Sequence, residues 1–344
     1  MIRTAAPAET AWKQAVAEHR KPVLRRGIWQ LVNSVVPYVA LWGLMIWSLS
    51  VSYWITLALS VFAAGFLVRI FIIFHDCGHG SFFKSRRANR LAEFATGVLT
   101  FTPYRQWRHE HAQHHATSGD LDHRGTGDIW TLTVREYLEA SRGKRFAYRL
   151  TRNPFVLFGV APAFLFLIHQ RFPSRAVGKR ARRGVHWTNA ALLAIAVLMS
   201  LTIGIKAYVL IQFPVVVLAA SAGVWLFYVQ HQFEDMHWER HADWDYAEAA
   251  LRGSSFYKLP RVLQWFTGNI GFHHVHHLSP AIPNYNLERC HNATPLFRQV
   301  KPVTLWHSLK AVNYRLWDEQ RKKLIGFRGL RTIRRQMSST PANR

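Results

Sequence analysis

Four long apolar runs, each about as long as a bilayer is thick, decide most of what this chain can fold into. They extend from Ile28 to Trp47, Tyr53 to Phe74, Trp187 to Ile205 and Ala207 to Tyr228. A hydrocarbon core of about 30 Å takes roughly 20 residues of helix, and a backbone inside it must satisfy its own polar groups. The first two runs are joined by "SLSVS" and the last two by little beyond Lys206, so each pair reads as a helical hairpin whose ends return to one side.

The basic residues say which side that is. The chain of 344 residues carries a formal charge of +25 and 14 tryptophans. Lysine and arginine in short flanking loops mark the cytoplasmic face of a membrane protein. A fifth apolar stretch, "FVLFGVAPAFLFLIH" from Phe155 to His169, is short, follows Pro154 and is interrupted by Gly159 and Pro162. Had it crossed alone, the following loop "RFPSRAVGKRARRGVHW", with six Lys/Arg, would be external. It is therefore expected to be re-entrant or interfacial, as is "FATGVLTFTPY" from Phe94 to Tyr104. The N-terminus, the region from His75 to His186 and everything after Tyr228 then share the cytoplasm. The charges flank membrane segments instead of forming a soluble module, which argues against a nucleic-acid-binding protein.

The expected fold is all-α and integral to the membrane: four transmembrane helices in two hairpins, re-entrant or interfacial segments, and a cytoplasmic helical cap. Residues 1–27 form a basic N-terminal segment, 28–310 the membrane domain and 311–344 a basic C-terminal tail ending in "RKKLIGFRGLRTIRRQ". Ala8 to His19 reads as a short amphipathic helix, solvated or lying among headgroups. Arg69, inside the second run, is expected to snorkel toward the interface. Cys77 and Cys290 make no disulfide framework and fit a reducing, cytosol-facing environment.

Every dense histidine cluster falls on the cytoplasmic side: "HDCGH" (His75 to His79), "HEHAQHH" (His109 to His115) and "HHVHH" (His273 to His277). Residues three or four apart share a helix face. His75 with His79, His111 with His114 and His115, and His273 with His276 and His277 all obey that spacing. Packed together without metal, eight imidazoles would repel or pay desolvation costs, whereas neutral imidazole is a good ligand for iron and zinc. A single structural zinc takes four ligands, so eight, with His231 at the end of the fourth run as a ninth, suit two metals with open positions. Asp76 and Glu234, beside proposed ligands, are the expected carboxylate partners. His109 and His274 fall outside the spacing and are assigned outer-shell or polar roles. His237, His241, Glu110, Asp120, Asp122, Asp128 and Asp235 read as polar surface or helix caps.

Iron suits a site where an apolar substrate meets dioxygen, whereas a zinc pair would activate water for hydrolysis. No G-x-S-x-G elbow or phosphate-binding glycine loop competes, so oxidation of a lipid chain is the leading class.

"HDCGHGSFF", "HAQHH" and "HHVHH", in this order and with these hairpins, resemble the three histidine boxes of the membrane fatty acid desaturases. "HHATSGDLD", "GTGDIWTLTVREY" and "HHLSPAIPNYNLERCH" further resemble the bacterial acyl-lipid omega-6 (delta-12) branch, and the similarity spans roughly residues 12 to 310. The resemblance implies a non-haem di-iron centre that uses dioxygen and two electrons to place a cis double bond in an acyl chain. It assigns the metal to His75, His79, His111, His114, His115, His273, His276 and His277, with His231 matching the extra histidine after the last crossing. It also implies a separate electron donor, since no histidine-proline-glycine-glycine haem motif is present; an acidic ferredoxin on the basic face fits, as does an acyl-lipid held in a narrow apolar tunnel. The expected location is the bacterial inner membrane, with the active site and both termini cytoplasmic. The rivals are a related di-iron hydroxylase or ketolase acting on a carotenoid or alkane, and a non-enzymatic metal transporter or sensor. The latter would need polar ligands along the spans, which are almost free of them.

Overall fold

The computed structural model describes residues 6–330, with side chains from Trp12 onward. Four helices are long and apolar enough to cross a membrane: Leu24–Ser48, Tyr53–His79, Lys179–Thr202 and Ile205–His231. Each coincides with an expected run, and three begin or end well outside its apolar part. The second span continues through "HDCGH" and stops at Gly80, whose φ of +73° turns the chain in the left-handed region that glycine tolerates best. The helix thus carries His75 and His79 as its last turn. The fourth span likewise runs on to His231.

Val36, Trp47, Trp54, Leu193, Leu201 and Phe213 point outward from the spans, as lipid-facing residues would. The second span is the most enclosed. It packs on the first and fourth through Tyr38, Met45, Ala63, Leu67, Ile70, Ile211 and Val215. At the turn joining the first two spans, the Ser48 and Thr56 hydroxyls meet at 2.8 Å, pairing polar groups buried at the hairpin end.

Arg69 does not snorkel. It is buried, donates to the Trp265 carbonyl and lies 3.9 Å from the centroid of the Trp265 ring. The short helix Arg261–Phe266 packs beside the second span, with Phe266 against Phe66 and against Gly65, which has no side chain to hold it off. At that depth its terminal carbonyls need a protein donor, and Arg69 supplies one.

The stretch after Pro154 forms a π-turn, Val156–Val160, followed by helix Ala161–Leu167, bent by 62° from the preceding helix Arg142–Thr151. Both its ends lie at the histidine end of the bundle. Arg152 donates to Gln232, next to His231, at 2.9 Å, and Ser174 N–H donates to Gln106, on the helix carrying "HEHAQHH", at 2.9 Å. The segment thus begins and finishes at one end of the spans.

The remaining segments cap that end. The cap is mostly helical, but it also holds very short strands: Leu132–Thr133 pairs in parallel with Leu316–Asp318, which pairs antiparallel with Lys323–Ile325, and Phe256–Lys258 pairs in parallel with Pro302–Thr304. Two expectations change here. The N-terminal helix, Ala6–Ala17, is not surface-lying over its second half, because Trp12 and Val16 are buried against Ile282, Leu287 and Phe297. The chain beyond residue 310 is not a free tail either: Trp317 is 1% exposed, and Leu316 and Leu330 complete a core with Tyr137 and Tyr148. The rest of the expected tail, from residue 331, lies outside the described residues.

Candidate metal centre

The eight histidines singled out by spacing, and His231 singled out by its place at the end of the fourth run, converge where the second span, the fourth span, helix Tyr104–Thr117 and the short helix His273–Leu278 meet. They sort into two groups, His75, His79, His111, His115 and His276 in one, and His114, His231, His273 and His277 in the other, with ligating nitrogens in each group within 4.8 Å of one another. The division cuts across the sequence clusters. His114 and His115 are adjacent but point into different groups, as are His276 and His277, because neighbouring positions on a helix face about 100° apart.

The nitrogens meet in a way that a cation would fit. The Nε2 of His231 lies 3.1 Å from that of His114 and 2.9 Å from that of His273. The Nε2 of His115 lies 3.1 Å from those of both His111 and His276. The Nε2 atoms of His79 and His277 are buried with no hydrogen-bond partner. The His114 Nδ1 is 2.6 Å from Asp128 Oδ1, which orients the ring so that its Nε2 faces that of His231. His75 Nδ1 is likewise 3.0 Å from Asp76 Oδ1. Burial first, and the neighbouring histidines second, hold His111, His115, His273, His276 and His277 well below the usual imidazole value. Neutral rings with convergent lone pairs are the donor set that imidazole-binding metals use, and the residues fit two such ions.

Supporting residues divide between those legible from sequence position and those that are not. Asp76 sits where expected, and its second oxygen accepts from the backbone and side-chain amides of Asn284, at 2.5 and 2.9 Å, tying the first histidine cluster to the segment after the third. Glu234 does not join the cage: it is exposed and lines a cleft of about 510 Å³ with Phe233, Leu251, Ser255 and Tyr314. The chain has left its helix after His231, so proximity in sequence no longer means a shared face. His109 is exposed on the outer face of its helix. His274 is buried but turned away, its Nε2 3.1 Å from His291 Nδ1 in a pocket with Phe256 and Phe297.

Asp128, read from the sequence as polar surface or a cap, instead meets His114, and Trp107 went unnoticed. The Trp107 ring stacks on His111 with centroids 4.3 Å apart and an interplanar angle of 21°, and it packs on Phe74. With Phe71 and Phe166 it forms an aromatic floor beneath the cage. Its spacing of four from His111 was available as a signal. Asp128 carried none, because only the return of the loop after helix Tyr104–Thr117 brings it back to His114.

The family model described as fatty acid desaturase matches residues 51–307, which include all nine histidines. The chain belongs to the fatty acid desaturase family. A fatty acid desaturase of Bacillus subtilis (strain 168) is 51% identical over 318 residues, covering 92% of this desaturase and 90% of its relative. More distant are the sn-1 oleoyl-lipid 12-desaturases of Synechocystis, 29% identical over 66% of this chain and 64% of the relative, and of Anabaena variabilis, 28% identical over 78% and 76%. This desaturase is therefore an oxidoreductase with membrane-spanning helices, and its histidine clusters are placed to bind metal.

Proposed function

We propose that this desaturase introduces a cis double bond into the acyl chain of a membrane lipid, with omega-6 (delta-12) regiochemistry, at a centre of two iron ions held by the nine histidines. The observation that carries the reading is their division into groups of five and four, each with convergent nitrogens. In balance, two hydrogens leave adjacent methylenes, and with two electrons and two protons they reduce one dioxygen to two waters. Bound iron supplies the capacity to activate dioxygen for attack on an unactivated C–H bond.

The chain's own residues supply geometry. Asp128 and Asp76 orient His114 and His75 through their Nδ1 atoms and strengthen their donation. Phe71, Phe74, Trp107 and Phe166 lie between the cage and the bilayer side, where an acyl chain has to be held in one pose for a single carbon pair to react. The names of the Synechocystis and Anabaena relatives support position 12.

The same reading places the cage and both termini in the cytoplasm of a bacterial inner membrane, supported by the Lys/Arg-rich segments at the cage end and the nearly uncharged turns at the other. Electrons come from a separate acidic donor, of which a ferredoxin is the fitting class, docking on a protein of net charge +25. Reconstituted rates should fall as salt is raised; flat rates would remove the electrostatic docking.

Expression in a host of known lipid profile, followed by gas chromatography with double-bond localisation, tests the reaction. A new diene is expected, and an oxygenated product would favour a hydroxylase or ketolase. His276→Ala should lose iron and activity while still inserting into the membrane. Retention of full iron and activity in that variant would overturn the ligand set.

A further inference from the structure

Outside the cage, a second kind of side-chain cluster stands on the cap, formed by Asp120, His123 and His241. Asp120 and His123 belong to the loop that leaves helix Tyr104–Thr117, and His241 to the segment that follows the fourth span. The two segments are joined by backbone hydrogen bonds, Leu121 N–H to the Glu239 carbonyl at 2.9 Å and Glu239 N–H to the Gly119 carbonyl at 3.0 Å. The Trp244 indole N–H adds a third tie, donating to the Ser118 carbonyl at 3.0 Å. The side chains are thus presented from a braced pair of strand-like segments.

The donor atoms already face one another. His123 Nδ1 lies 2.8 Å and His241 Nδ1 2.7 Å from the same oxygen, Asp120 Oδ2, and the two rings stand 4.5 Å apart at 78°. The other carboxylate oxygen accepts from the Asp122 N–H at 2.9 Å, which fixes the plane of the group. Asp122 in turn accepts from the His241 N–H at 3.0 Å and from Arg240 at 2.6 Å. Burial pushes the Asp120 carboxyl up, but hydrogen bonds from His123 and His241 outweigh it and hold it below the usual carboxylate range. The nearby carboxylates Glu136, Glu239 and Glu319 pair with Arg124, Lys322 and Arg240 respectively. Asp120 instead meets two imidazoles and a backbone amide. It is buried, whereas the His123 and His241 side chains are 53% and 62% exposed, so one side of the cluster is open to water.

We propose that Asp120, His123 and His241 form a third metal site, separate from the cage, which takes a borderline divalent cation such as Zn²⁺, Co²⁺ or Ni²⁺. Two imidazole nitrogens and one carboxylate oxygen match the preferences of these ions, and the open side leaves positions for water. The cation takes the place of the contacts that each Nδ1 now makes with Asp120 Oδ2, and a site of imidazoles and a carboxylate binds metal more weakly in acid. Because one segment continues from the helix carrying His111, His114 and His115 and the other from the span ending in His231, the ion clips together two elements of the cage.

The test uses the purified full-length protein with its iron, incubated with zinc chloride, desalted, and assayed for zinc and iron by mass spectrometry. Wild type should gain one zinc per chain without losing iron. Replacing Asp120 endangers a buried hydrogen-bond network, so the exposed histidines are the variants of choice. The His123→Ala/His241→Ala protein should gain no zinc at that stoichiometry, while its iron content and its desaturation without added zinc stay at wild-type levels. Amide exchange at 118–123 and 237–243 should slow with zinc in wild type alone. Equal zinc uptake by both proteins, no uptake by wild type, or uptake only at the expense of iron would overturn the site; uptake without slower exchange would overturn the clip.

Discussion

At the scale of single residues, the cage depends as much on how its imidazoles are oriented as on their number. Asp128 holds the His114 ring through its Nδ1. Asp128→Asn keeps the shape and removes the charge, and losing such a partner costs about 10- to 100-fold in metal affinity or activity. A loss of that size is expected in iron retention against a chelator, with little change in protein yield. Glu93 offers a titration. It is fully buried, with one oxygen 3.0 Å from Arg108 Nη2 and the other unpartnered, and burial raises its carboxyl from 4.5 to about 7 despite Arg108 and Arg105. The fold favours its protonated form, so its contribution to stability is full below pH 4.5 and is lost as pH rises through about 7. Glu93→Gln does not titrate. Its thermal midpoint relative to wild type should climb between pH 5 and pH 8, by the equivalent of on the order of 2 kcal/mol, and a constant difference would exclude Glu93 as the source. The sequence displayed eight of the histidines because helical spacing repeats across the three clusters, and His231 because it ends the fourth apolar run. It could not display Asp128, whose place depends on a loop returning, and it misplaced Glu234, whose adjacency to His231 lost its meaning once the helix ended.

At the scale of elements, the third histidine cluster is held by a close backbone approach. The Gly271 carbonyl accepts from Tyr257 N–H at 2.7 Å, and a Cβ on Gly271 would stand 2.4 Å from the Tyr257 carbonyl oxygen. Both colliding groups are backbone, so nothing swings aside. Gly271→Ala should cost about 1–3 kcal/mol and lower iron content by shifting His273, His276 and His277 together, measurable as a reduced thermal midpoint with substoichiometric metal. The spans were legible in the sequence as apolar runs, yet their helices run past those runs, because a helix ends at a stop signal such as Gly80 and not where hydrophobicity fades. Arg69 was misread for a related reason. Its charge was visible, but its acceptor, the Trp265 carbonyl, belongs to a distant segment that reads as an ordinary loop.

At the scale of the whole molecule, the proposed orientation can be checked by labelling with a membrane-impermeant maleimide. The native Cys77 and Cys290 are both buried, so an introduced cysteine reports cleanly. Ser50→Cys, at the turn between the first two spans, should label in intact cells, and Lys179→Cys, at the start of the third span, only after the membrane is opened. The reverse pattern would invert the molecule. The two-hairpin architecture was readable because bilayer thickness and loop charge are strong constraints. The cap was less so: its strands are only two or three residues long, and the pairing of Leu132–Thr133 with Leu316–Asp318 joins distant parts of the chain that carry no shared pattern.

The division of the nine histidines also sets an order of assembly. Four of the first group, His75, His79, His111 and His115, leave the ribosome before either late span, and only His276 joins them afterwards. In the second group His114 alone is early, while His231 ends the last span and His273 and His277 follow it. Chains are made from the N-terminus, and metal binding that needs a formed site is coupled to folding. The first group can therefore gather most of its donors while the protein is still being made. The second closes only when the fourth span is in place and the segment beyond it has folded back, so a full metal complement marks a finished molecule.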